Sequence, residues 1–144
     1  MTGQQGSSPA RVLRLCLECN LTEVHSAARV ARRFLAEQGC LYHELMDYEL
    51  ALVEACNNAI QHAGIDGRNK PVVVEILCDT AQVEFRITDH TAGFDWPARA
   101  ALPDTQRENG RGLYLIKSLM DYANYFRGPE QNVLVIRKRR QPVE

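Results

Sequence analysis

A chain of 144 residues, 45% hydrophobic and 24% charged, fits one globular domain with a sizeable core and leaves no room for a second. Its formal net charge of -1 excludes the broad basic field that draws nucleic acid or an anionic membrane, and no stretch approaches the roughly 20 apolar residues of a membrane span. Residues 1–9 are polar without an apolar signal region, so the expected location is the cytoplasm, with no direct nucleic-acid or membrane partner.

In chain order, residues 1–10 are rich in Gly, Ser and Gln and read as a flexible arm ahead of a domain over 11–138. Leu13, Leu15, Leu17 and Cys19 alternate with Arg14, Cys16 and Glu18, the pattern of a half-buried strand. Asn20 followed by Glu23 resembles a capping box, opening a helix with Val24, Ala27, Ala28, Ala31, Phe34 and Leu35 inward and Gly39 at its end. A second helix runs over 42–63 and stops at Gly64. Two β-rich runs, 72–78 and 83–89, flank the turn Asp79-Thr80-Ala81-Gln82 and read as a hairpin.

The segment from Asp89 to Arg111 holds Trp96, Pro97, Pro103 and Gly110 without sustained periodicity. So long a structureless connection inside a compact domain reads as a functional lid, here 95–109. A short helix over 113–121 and strands over 122–126 and 132–137 close the domain. Arg137-Lys138-Arg139-Arg140 reads as a solvated run leading into a basic tail, 139–144. The predicted architecture is α+β, a two-layer α/β sandwich with an antiparallel or mixed sheet and helices on one face. The five cysteines include Cys16-x-x-Cys19, but an offset of three along a strand points these two to opposite faces, and no second pair has zinc-site spacing. Reduced, mostly buried thiols are expected.

On the second helix Leu45, Leu52, Ala55 and Ala59 form an apolar stripe, while Glu54, Asn58 and His62 recur every four residues beside it. That polar row has no basic residue and places an Asn in mid-helix, where its propensity is poor, so it reads as a site rather than a solvated face. Magnesium prefers oxygen ligands and shares them with a phosphate, a role open to the Asn58 carbonyl. Glu54, one turn earlier, is placed to act as a general base. Asp89 ends a strand and can accept a hydrogen bond from an exocyclic amine such as that of adenine, and Gly93 lets backbone approach a base. Gly110-Arg111-Gly112-Leu113 leads into a helix whose N-terminus can receive phosphate oxygens. Each motif alone has an ordinary structural reading, and their order raises the case.

The three boxes resemble the N, G1 and G2 boxes of the Bergerat-fold ATPases, the group containing gyrase, histidine kinases and mismatch-repair ATPases. Within that group the chain is most similar to the small anti-sigma-factor serine kinases, or switch-protein kinases. The likeness lies in Glu54 to His62, Gly93 to Asp95, and Gly110 to Asp121, and extends over about 13–137. It implies the Bergerat (histidine-kinase-like ATPase) fold, binding of ATP with Mg2+, and phosphorylation of a serine on an anti-anti-sigma (STAS-domain) partner. It further implies sequestration of a sigma factor or another target, and a homodimer. By position it implies Glu54 as base, Asn58 as magnesium ligand, Asp89 as adenine contact, and Gly93, Gly110, Arg111, Gly112 and Leu113 as nucleotide-binding positions, with His62 structural. One departure is Thr91, where family members often have glycine: a β-branched residue resists positive φ, so the loop runs at negative φ there or carries strain. Two alternatives stay open. A histidine-kinase-like domain would need a phosphoacceptor helix pair, for which the sequence before Leu13 is too short. A binding-only anti-sigma regulator would use nucleotide without significant kinase activity.

Overall fold

The computed structural model describes residues 10–63, 70–91 and 108–141. The chain runs β1 (Arg11–Leu17), α1 (Thr22–Glu37), α2 (Tyr42–Gln61), β2 (Val72–Cys78), β3 (Gln82–Asp89), α3 (Glu108–Leu119), β4 (Tyr122–Arg127) and β5 (Asn132–Arg139). The strands form one sheet in the order β1-β2-β3-β5-β4, and every neighbouring pair is antiparallel, which settles the expectation of an antiparallel or mixed sheet.

Because strand side chains alternate with period two, the antiparallel registers turn sequence alternation into rows across the sheet. Leu15, Val74, Ile87, Leu134 and Tyr125 stand side by side through all five strands, and Leu13, Ile76, Phe85, Ile136 and Ala123 form the next row. These rows lie under the helices: α1 packs on β1, α2 on β2 and β3, and α3 reaches β4. The core joins them to Val24, Ala31 and Leu35 of α1 and to Tyr48, Ala51, Leu52 and Ala55 of α2. Tyr48 and Phe85 meet edge to face at 6.2 Å between ring centroids, a favourable aromatic geometry. The expected α+β sandwich is the observed one.

Local signals explain most boundaries. Gly39 adopts φ +85°, a conformation L side chains rarely take, and closes α1. Asp79 Oδ1 accepts the N–H groups of Ala81 (2.7 Å) and Gln82 (2.8 Å), fixing the β2–β3 hairpin. At the start of α1, Asn20 Oδ1 accepts the Thr22 N–H at 3.0 Å, but Glu23 reaches back to the Glu18 N–H rather than to Asn20. The capping box expected there is therefore displaced by two residues on its acidic side.

Two expectations are corrected. The third helix begins at Glu108, so Gly110, Arg111 and Gly112 lie inside it rather than before it. Neither glycine is used for positive φ, since Gly39 is the only described residue with one, and an acidic residue in the first turn favours a helix start at Glu108. The basic run is also not a solvated tail. β5 continues to Arg139, paired with Gln82, and three of the four cations have an acceptor. Arg137 Nη2 meets buried Glu84 at 2.8 Å, Lys138 Nζ donates to the Leu119 carbonyl at 2.9 Å, and Arg140 donates to the carbonyls of Asp79 (2.7 Å) and Gln38 (2.9 Å). Backbone carbonyls and one buried carboxylate thus turn three of the four sequential charges into structural bonds, while Arg139 is exposed.

Candidate active site

The site begins where α2 meets α3. The apolar stripe of α2 is buried as expected, with Leu45, Leu52, Ala55 and Ala59 all in the core. That packing turns the neighbouring row toward α3. Glu54 is half-buried, and Asn58 is 5% exposed. Gly112 of α3 stands directly against both: a Cβ at this position would lie 2.9 Å from Glu54 Oε2, 3.4 Å from Asn58 Nδ2 and 3.6 Å from Asn58 Oδ1. Glycine is required there for close approach, not for backbone freedom.

Within this contact the Asn58 Nδ2 is fully buried and has no hydrogen-bond partner among the described residues. An unsatisfied buried amide costs about 1–3 kcal/mol, which a folded protein retains mainly where a ligand completes the bond. The helix start adds donors. The N–H groups of Glu108, Asn109 and Gly110 open α3, where the helix's own carbonyls offer no acceptor. A carboxylate and an unpartnered amide therefore meet α3 at Gly112, two residues beyond those donors, a set suited to an anionic ligand and to proton removal.

The second part lies at the end of β3. Asp89 is 4% exposed, and its Oδ1 accepts three donors: the Thr91 N–H at 3.1 Å, the Thr91 hydroxyl at 2.8 Å and Asn132 Nδ2 at 2.9 Å. Asn132 Nδ2 also donates to the Thr91 carbonyl at 3.0 Å. Asp89 Oδ2 makes no hydrogen bond among the described residues, so one oxygen is saturated and the other is an acceptor in reserve. Thr91 has no positive φ. The loop runs at negative φ, as a β-branched residue requires, and the hydroxyl adds a bond that glycine lacks. Asn132 is the residue that sequence reasoning missed. It opens β5 directly opposite Asp89 and is 1% exposed. A signal was available in an Asn that precedes the apolar run Val133 to Ile136.

Of the remaining expected positions, Leu113 is buried at 9% exposure and packs below the site, and Gly110 and Arg111 are in the first turn of α3. Gly93 lies outside the described residues, as does the expected lid except for Glu108 and Asn109, which belong to α3. His62 stands at the C-cap of α2, its N–H donating to the Asn58 carbonyl at 3.1 Å, a structural place at the helix end. Among the described residues no cluster of three or more His, Cys, Asp or Glu is arranged to hold a metal. Magnesium needs only one or two protein oxygens when a phosphate supplies others, and Asn58 Oδ1, beside the glycine cradle, fits that share. No described helix is long and apolar enough to cross a membrane.

The histidine kinase-like ATPase domain family matches residues 17–138. The chain belongs to this family. Its sequence relatives include the serine-protein kinase RsbW of Bacillus pumilus, 35% identical over 97 residues and matched over 60% of each chain. RsbW of Staphylococcus aureus is 31% identical over 103 residues, covering 63% of this chain and 64% of that one. The chain thus spans about three fifths of the length of the relatives it matches. Among solved structures, the RsbU and RsbW domains of a Mycobacterium tuberculosis protein superpose with a TM-score of 0.69 at 17% identity, over 93% of this chain and 33% of that one. The SiaB-SiaC complex of Pseudomonas aeruginosa gives 0.62 at 14% identity, over 88% and 89%. Both share the fold of this ATPase domain.

Proposed function

We propose that this ATPase domain is a protein serine kinase of a partner-switching system, using ATP with Mg2+ to phosphorylate a STAS-domain partner. The observation that carries the reading is the seat of Gly112 against Glu54 and Asn58, which joins two boxes more than fifty residues apart into one site. The serine-kinase names of the sequence relatives support it. In this reading Asp89 Oδ2 accepts the exocyclic amine of adenine, with Gly93 approaching the base. The start of α3, at Gly110 and Arg111, receives phosphate oxygens, and Leu113 anchors that turn in the core. Asn58 holds the metal through Oδ1. Magnesium there would neutralise charge on the transferring phosphoryl group. Glu54 accepts the proton of the attacking serine hydroxyl, a role suited to a half-buried carboxylate. The same reading makes the kinase a cytoplasmic homodimer that sequesters a sigma factor or another target.

The test is transfer of labelled γ-phosphate to a STAS-domain protein. Acid-stable label on serine is expected, whereas acid-labile label on histidine would point to histidine-kinase chemistry. Partner binding without label would leave a nucleotide-dependent binding protein. Glu54→Gln should bind nucleotide normally yet transfer ~10²–10⁴-fold more slowly. Asn58→Ala should lose Mg-ATP affinity and transfer together.

A further inference from the structure

α2 is apolar on two sides. Its inward side supplies Leu45, Tyr48, Leu52, Ala55 and Ala59 to the core. Its outward side carries Tyr42, Met46 and Leu50 at intervals of one turn, and these are 68%, 52% and 40% exposed. The outward side of α1 is what a solvated face requires: Thr22, Ser26, Arg29, Arg33 and Glu37 are all polar and exposed. A helix apolar all round belongs in a protein interior, so the outer side of α2 has the composition of a covered surface.

Its surroundings say what covers it. Along the α1 side the stripe has a basic margin. Arg32 pairs with Glu49 of α2 at 3.0 Å and places its guanidinium 5.5 Å from the centroid of the Tyr42 ring, which holds an exposed aromatic in place. Arg29 and Arg33, before and after Arg32 in α1, are exposed and have no acceptor among the described residues. At its far end the stripe leads into the site, because Leu50 lies one turn before Glu54 on α2.

We infer that the outer face of α2, with the α1 arginines, is the docking surface for the phosphoacceptor protein, which lays on it a helix apolar on one side and bordered by carboxylates. The inference rests on the kinase reading of Glu54 and adds the surface that delivers a hydroxyl to it. Tyr42, Met46 and Leu50 are the anchors that lose water on docking, where affinity concentrates. Arg29 and Arg33 meet the carboxylates and set the register and rate of encounter. A second copy of this chain fits the same face poorly. In a two-fold contact with the α2 helices antiparallel, each set of arginines meets its own equivalent. With the helices parallel, the arginines of one copy close over the Glu54 side of the other.

The test uses the full chain, labelled ATP and the STAS-domain protein of the transfer assay. Met46→Gln combined with Leu50→Gln removes apolar surface at exposed positions of a helix that glutamine suits. KM for the STAS-domain protein should rise about tenfold or more, with kcat at saturation and ATP affinity unchanged. Arg29→Gln combined with Arg33→Gln should raise KM at low salt and flatten the parent's loss of affinity on adding sodium chloride. Serine label in the parent with an unchanged KM in the Met46 and Leu50 variant would overturn the docking surface and leave the kinase reading standing. Absence of serine label in the parent would remove the kinase reading and the inference with it. An unchanged KM together with loss of a dimer in sedimentation would give the face to a second copy instead.

Discussion

Gly112→Ala separates stability from transfer in a way that few substitutions do. Gly112 is helical and has no positive φ, so on backbone grounds alanine should stabilise α3 by about 0.8–1 kcal/mol. The added methyl, however, would begin 2.9 Å from Glu54 Oε2 and 3.4 Å from Asn58 Nδ2. An ordinary carbon–oxygen contact is longer by roughly half an ångström. The Glu54 carboxylate is the flexible end and should swing away by about that amount, which relieves the clash at little cost to folding. A misplacement of about 1 Å in a reacting group costs around 10²-fold in rate, so the smaller shift here should slow transfer roughly tenfold. Thermal unfolding should give a midpoint equal to or above the parent's. Single-turnover transfer to the STAS partner should be slower at saturating ATP. A variant that is stable and transfers at the parent rate would show that the Gly112 contact does not position Glu54, and the α2–α3 site would lose its main support.

The other predictions concern acceptors. Asp89→Asn should weaken ATP binding by roughly 1–3 kcal/mol, about ten- to hundredfold, and the parent should bind GTP poorly; calorimetry giving equal affinity for the two nucleotides would remove adenine recognition from Asp89. Asn132→Leu keeps volume but deletes the donor to Asp89 Oδ1 at 2.9 Å, so ATP affinity should fall several-fold while transfer from bound ATP holds. An unchanged affinity would make Asn132 a packing residue only. Glu44, 1% exposed, is held below its ordinary range: burial alone would raise it, but the N–H groups of Gln141 and Leu41, the Tyr48 hydroxyl and the Arg140 charge outweigh that. A depressed folded-state value contributes stability that is fully present above the unfolded value near ~4.3 and is lost as pH falls through the folded one. The urea midpoint of the parent should therefore exceed that of Glu44→Gln near neutrality and converge with it in acid; a gap that widens in acid would contradict the linkage.

How far the fold could be read depended on whether its signals were local. The strand over 72–78 was legible to the residue, because it is a run rich in β-formers and flanking turn residues end it. The apolar stripe of α2 was legible from its helical spacing. The end of β5 was not, because four consecutive cations look like a tail until their acceptors are known. Those acceptors, Glu84 on β3, the Leu119 carbonyl and the carbonyl beyond Cys78, come from three other parts of the chain. Buried Glu84 makes Arg137, its neighbour across β3 and β5, a paired charge rather than a free one, and no window around Arg137 contains that fact.

The site divides along the same line. Glu54 and Asn58 could be paired from helical spacing alone, since one turn of α2 fixes their relation. Gly112 was picked out for the wrong physical reason: in sequence a G-x-G reads as a turn, while in the structure it lies in a helix with ordinary φ and serves by having no side chain in front of Glu54 and Asn58. Spacing cannot distinguish a glycine needed for its backbone from one needed for its emptiness. Thr91 and Asn132 show the complementary limit. The threonine departs from the family pattern, which in sequence reads as a threat to the adenine loop. The β3–β5 register places Asn132 opposite Asp89, and there its amide clamps both the carboxylate and the Thr91 carbonyl. The hydroxyl and the amide together hold Oδ1, while Oδ2 makes no hydrogen bond among the described residues. The loop therefore exchanges the freedom of glycine for one added hydroxyl donor, so Thr91→Gly, which restores the family residue, should loosen the Asp89 carboxylate and weaken ATP binding.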